Sequence, residues 1–97
     1  HIPELGHLIM EKTFTATMYS DPSHAWAKVK RQVLVNLGLD KLVSAYSYQY
    51  KDNVYLEEDV DLSLLYDRLL KDDVRMRFNE KHTENPSRIR TYESYQP

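Results

Sequence analysis

Apolar and polar residues alternate with a period of two at several places along the chain, and with a helical period at two others. Thr13, Thr15 and Thr17 interleave with Phe14, Ala16 and Met18, which predicts a strand over residues 11–19. Ser20-Asp21-Pro22-Ser23 then reads as a turn. Residues 24–29 alternate again, with His24, Trp26 and Lys28 on one side and Ala25, Ala27 and Val29 on the other. They form a second strand or, alternatively, the first turns of a helix capped by Ser23. From Lys30 the period is helical on either reading. Val29, Val33 and Leu37 recur every four residues, Leu34 lies beside them, and Gly38 with Leu39 supplies a Schellman-type stop, so a helix covers about 30–37. Residues 43–56 predict a hairpin around Lys51-Asp52-Asn53, with Tyr46, Tyr48 and Tyr50 on one face of its first strand.

Leu62, Leu65, Tyr66 and Leu69 then mark a helix over about 60–71, with Asp59 or Asp61 as its cap and Arg68 and Lys71 near its C-terminal end. Val74, Met76 and Phe78 alternate with Arg75, Arg77 and Asn79, a strand with one apolar and one largely cationic face. A loop follows over 82–87, then a last short strand at Ile89. The order is ββαββαβ, or βαββαβ if 24–29 is helical. Either order defines an α+β fold: a small, mainly antiparallel sheet with two helices on one face.

Ninety-seven residues suffice for one modest core. Because Met10 directly precedes the first strand pattern, residues 1–9 are expected to be vector-derived or an N-terminal extension, with 10–97 as the domain. The net charge of −2 gives no general electrostatic case for nucleic-acid binding. The chain has no cysteine, which removes disulfides and thiolate chemistry and fits a cytoplasmic location. No apolar run is long enough to span a bilayer, so no membrane partner is expected.

Four groups of residues bear on function. The acids Glu57, Glu58, Asp59 and Asp61 lack the glycine and distal glutamate of a calcium loop and read as a helix start, so no metal or cofactor is expected. The tyrosine row is either an inward core face or a binding surface; its polar opposite side, Ser47 and Gln49, makes inward the favoured direction. Arg75, Arg77, Lys81, Arg88 and Arg90 either pair with the chain's own acids or grip an anion. Asp21 and His24, with His82, are the candidates for acid–base work, but no nucleophile elbow, phosphate loop or paired-histidine motif accompanies them.

Asp21-Pro22-Ser23-His24-Ala25-Trp26, Leu37-Gly38-Leu39, Tyr46-Ser47-Tyr48, Tyr55-Leu56-Glu57-Glu58-Asp59, His82-Thr83 and Ser87-Arg88-Ile89-Arg90 together resemble a family of small proteins encoded by phages and other mobile elements. The chain departs from that pattern at Ser23 and Ala25, where glycines are usual, and at Val60, where a cysteine is. The resemblance implies an origin and no mechanism. The expected role is that of an accessory protein, monomer or homodimer, that binds another protein through Trp26, Tyr48, Tyr50, Arg88 and Arg90. The alternatives are single-stranded nucleic-acid binding through the tyrosine row and the arginine strand, or a small hydrolase or nuclease using Asp21 and His24.

Overall fold

The computed structural model describes residues 12–97. The expectation for residues 1–9 therefore lies outside the described residues. Six strands, β1 (Lys12–Ser20), β2 (Ala25–Lys30), β3 (Tyr48–Tyr50), β4 (Asn53–Glu57), β5 (Val74–His82) and β6 (Glu93–Ser94), form one sheet in the order β5-β1-β2-β4-β3-β6. Two helices, α1 (Arg31–Asn36) and α2 (Asp61–Lys71), complete an α+β fold. Residues 24–29 thus resolve as the strand β2, because Trp26 and Ala27 are both buried and must point to opposite sides of one sheet. All strand pairings are antiparallel except β1 with β5. Since β4 and β5 run in the same direction on either side of β2 and β1, α2 is the crossover of a split β-α-β unit.

Both helices pack on one face. Ala16, Ala27, Val29, Val54 and Leu56 from the sheet meet Leu34, Leu62, Leu65 and Leu69 from the helices. Leu34, Leu56 and Leu65 are fully buried, each contributing about 1.5–3 kcal/mol by removal from water. The end of α1 is the predicted Schellman motif: Gly38 takes φ 71 and donates to the Val35 carbonyl at 3.1 Å, and Leu39 donates to the Leu34 carbonyl at 2.8 Å.

Four local features differ from the sequence reading. Glu57, rather than Asp59 or Asp61, caps α2, its carboxylate accepting from the backbone N–H groups of Asp59, Val60 and Asp61. Asp61 instead turns inward and holds Ser44 and Ser47. The hairpin closes through Lys51-Asp52, and the left-handed residue is Lys51, at φ 55. Ile89 sits in a 3-10 turn, Arg88–Thr91, and not in a strand. Ser87 caps that turn through its Oγ, which accepts from the Ile89 N–H. The turn lowers Ile89 onto the sheet face opposite the helices, where it is buried against Trp26 and Tyr55. The C-terminal tail is pinned: Tyr95 is buried, its N–H donates to the Ser47 carbonyl at 2.8 Å, and its hydroxyl donates to the Asp40 carbonyl.

Candidate functional site

The β1–β2 turn is built around one carboxylate. Asp21 follows the last residue of β1, and its Oδ1 accepts from the N–H groups of Ser23 at 3.0 Å and His24 at 2.9 Å, the local bonding an aspartate turn favours. Its Oδ2 accepts from the Ser87 N–H at 2.9 Å. Arg90 completes the arrangement as a two-pronged partner, Nε to Oδ2 at 2.7 Å and Nη2 to Oδ1 at 3.0 Å. The Asp21 side chain is 1% exposed. The Arg90 guanidinium, helped by the three backbone N–H groups, holds its carboxyl far below the usual carboxylate range, against the opposing effect of burial. Asp21 therefore works as a fastener, tying residues 87–90 to the β1–β2 turn.

That fastener positions Arg90 over the Trp26 ring, with the guanidinium carbon 5.3 Å from the ring centroid. Trp26 also meets Tyr48 edge-on at 6.2 Å and His24 at 6.1 Å. A second aromatic group adjoins them: Tyr55 touches Tyr19 and Tyr92, and Tyr92 stacks on Tyr50 at 4.7 Å between centroids. Burial, reinforced by the neighbouring Tyr92 and Tyr19, pushes the Tyr55 hydroxyl up to about 12. The tyrosine row is thus on the sheet face opposite the helices, and its members differ. Tyr48 is half-buried, Tyr50 is exposed, and Tyr46 lies before the strand at 79% exposure. Ser47, on the other side, is fully buried because Asp61 accepts its hydroxyl at 2.6 Å.

An open cavity of about 380 Å³ lies at this end of the sheet. Its walls are His24, Trp26, Tyr46, Tyr48 and Arg90, and its rim is Glu57, Glu58 and Asp59 with Val60. Four residues singled out in the sequence, His24, Trp26, Tyr48 and Arg90, therefore share one cavity, with Asp21 directly behind Arg90. Tyr50 instead lines a separate cavity of about 450 Å³ with Arg31, Gln49 and Tyr92. Arg88 is exposed on the 3-10 turn. His82 ends β5 outside the cavity wall, within hydrogen-bond distance of Ser20 Oγ (2.9 Å) and Glu84 Oε2 (2.6 Å).

Chemically, the cavity pairs aromatic surface with a carboxylate rim. Arg90 is the one arginine in the wall, and its charge is matched by Asp21. The bond from His24 to Asp21 runs through the backbone N–H and not the imidazole, so no carboxylate–imidazole dyad forms between them. Among the described residues no group of His, Asp and Glu is arranged to hold a metal ion, and no helix is long and apolar enough to cross a membrane. Glu57, Glu58, Asp59 and Val60 are the lining members that sequence reasoning did not assign to a binding site, and Tyr46 was weighed only as part of the tyrosine row. Nothing in the spacing of Tyr46-Ser47-Tyr48 and Glu57-Glu58-Asp59 along the chain brings them together. No protein-family model, curated protein or solved structure matches the chain.

Proposed function

We propose that the chain is a small protein-binding module, a cytoplasmic accessory protein of a mobile element, which takes a cationic side chain of its partner into the Trp26–Tyr48 cavity. The observation that carries this reading is the composition of the cavity: Tyr46 and Tyr48 line it beside the buried Trp26, whose ring Arg90 already covers, together with Glu57, Glu58 and Asp59. A guanidinium or ammonium group gains about 0.5–2 kcal/mol from an aromatic face, more as it is desolvated. The Glu58 and Asp59 carboxylates add charge-assisted contacts, while the Glu57 carboxylate is engaged by the backbone at the start of α2. Because Asp21 neutralises Arg90, the arginine in the wall does not repel such a guest. The volume is in the range of natural binding pockets, roughly 300–1,000 Å³. Of the segments that carry the resemblance to phage-encoded proteins, 21–26, 46–48, 55–59 and 87–90 reach this cavity or the Asp21 fastener behind it, and 37–39 and 82–83 do not. The hydrolase reading has less support, since Asp21 is saturated by five contacts and has no capacity left to accept a proton.

Trp26 is the chain's single tryptophan, so fluorescence excited beyond the tyrosine absorption band reports on the surroundings of this residue. Titration with arginine-rich, lysine-rich, neutral and acidic peptides should give a saturable change for the basic peptides only. Glu58→Lys, an exposed substitution at the rim, should abolish it while circular dichroism stays unchanged. A response to acidic peptides of equal strength would contradict the reading, as would no response to any basic peptide.

A further inference from the structure

The sheet face opposite the helices has two halves of different character. The half over β4, β3 and the Trp26 end of β2 is aromatic and is partly covered by residues 87–92. The half over β5, β1 and β2 is polar and basic. Phe14, Ala16 and Met18 of β1, Ala27 and Val29 of β2, and Val74, Met76 and Phe78 of β5 all pack toward the helices. Alternation therefore puts Thr13, Thr15 and Thr17, Lys28 and Lys30, and Arg75 and Arg77 on the opposite side. The register aligns them: Thr13 pairs with Arg75, Thr15 with Arg77, and Thr17 with Lys28. The result is a floor of threonine hydroxyls between two cationic rails, with strand spacing setting the rails about 10 Å apart. Tyr19 closes one end of the trough, with the Lys81 ammonium 6.0 Å from its ring centroid.

None of the strand positions on this half-face is a carboxylate. Arg75, Arg77, Lys30 and Lys81 are exposed, as are Thr13 and Thr15. The ion pairs among the described residues are Arg68–Asp72, His82–Glu84 and Arg90–Asp21, so no carboxylate of the described residues pairs with the rail cations. The chain's net charge is −2; Glu57, Glu58 and Asp59 line the cavity and Asp61 and Asp67 belong to α2. The charge is thus segregated.

We infer that this half-face binds single-stranded nucleic acid, a function separate from the cavity. The two arginines and two lysines of the rails contact successive phosphates, the threonine hydroxyls donate to phosphate oxygens between them, and the Tyr19 ring offers a stacking surface at the end of the trough. A single strand fits better than a duplex because reading a duplex groove requires a projecting helix or ribbon, and this face is a sheet floor with no such element. Four phosphate contacts give a salt slope of about −2.8 for a single strand, or roughly a fiftyfold loss of affinity between 50 and 200 mM salt.

The test is fluorescence anisotropy of the full chain with labelled oligothymidylate of about 15 nucleotides, the matching duplex, and anionic lipid vesicles as a third arm. The expected result is binding of the single strand in preference to duplex and vesicle, with the slope above. Arg75→Gln/Arg77→Gln, at two exposed positions, should weaken binding at least tenfold and halve the slope. Lys41→Gln/Lys71→Gln removes the same formal charge away from this face and should change affinity less than twofold. Absence of single-strand binding at 50 mM salt, equal or stronger binding of duplex or vesicles, or an unchanged slope in the Arg75/Arg77 variant would each overturn the inference.

Discussion

Asp61→Ala should be among the most damaging single substitutions in the chain, although the residue lies in the acidic segment 57–61. Asp61 is 1% exposed. Its carboxylate accepts from the Ser44 N–H at 3.0 Å, from Ser44 Oγ at 2.6 Å and from Ser47 Oγ at 2.6 Å. The fully buried Ser47 hydroxyl in turn accepts from the Glu57 N–H at 3.0 Å. Removing the carboxylate leaves three donors facing a void. A hydrogen bond to a charged acceptor contributes about 1.5–3 kcal/mol, and bonds sharing one acceptor do not add fully. Relief from burying the charge offsets part of the loss. The net cost works out at about 3–5 kcal/mol, against a total stability of roughly 5–15 kcal/mol for a domain. Ser47→Ala removes one of these bonds and strands the Glu57 N–H, so it should cost about 1–2 kcal/mol. Urea unfolding followed by Trp26 fluorescence and far-UV circular dichroism measures both, and the double variant measures their coupling. The network also places Tyr46 and Tyr48, so Asp61→Ala should weaken ligand binding at the cavity even where the fold survives. A loss below 1 kcal/mol for Asp61→Ala, or additive effects of the two substitutions, would refute this account of the 40–47 loop.

Arg90→Lys should behave much like Arg90→Ala, because a single ammonium cannot replace the two-pronged contact to Asp21; amide exchange at residues 83–92 should quicken in both. The Asp21 carboxyl titrates far below its ordinary 3.8 when folded, so it binds fewer protons folded than unfolded in acid. Its contribution is complete above that ordinary value and is lost progressively as the pH falls below it, and acid-unfolding curves of the Arg90 variants should show a weaker dependence in this range. Tyr55 is displaced the other way, up to about 12 from 10.0. Its contribution is complete below about pH 10 and is lost as the pH rises toward 12, and ultraviolet difference titration should find Tyr55 ionising late and together with unfolding, joined by Tyr95, which burial also pushes up. Gly38→Ala meets nothing within 4 Å but must hold φ 71, so its cost should be backbone strain alone, about 1–2 kcal/mol by thermal denaturation.

Where the chain's own period decided the structure, the sequence was readable. Phe14, Ala16 and Met18, or Leu62, Leu65 and Leu69, face the core because their neighbours are polar and the contrast is sharp. The Gly38-Leu39 stop was equally local. The direction of the tyrosines was not readable, because the residue that settles it is Ser47. A serine between two tyrosines looks solvent-facing, yet it is buried by a carboxylate 14 positions away. Ile89 was misread for a related reason: an isolated apolar residue between two arginines carries no period, and its 3-10 turn is set by the Ser87 cap and by the hydrophobic surface of Trp26 and Tyr55 beneath it. Of the cavity, Trp26, Tyr48 and Arg90 are grouped by their chemistry as binding residues, with Tyr50 and Arg88, and His24 stands apart as an acid–base candidate. That they share a wall depends on the Asp21–Arg90 pair, 69 residues apart in sequence, and no local signal reports a contact of that range.

The Trp26–Tyr48 cavity and the threonine trough are proposed to bind different partners, a cationic side chain and a single-stranded nucleic acid. The most direct measurement is a pair of amide chemical-shift titrations on the same isotope-labelled chain, one with an arginine-rich peptide and one with oligothymidylate. The peptide should move the Trp26 indole and residues 24–26, 46–48 and 57–60, the oligonucleotide should move 13–19, 28–30 and 75–81, and each should leave the other's set in place. Shifts on a common set of residues, or none from either ligand, would contradict the account.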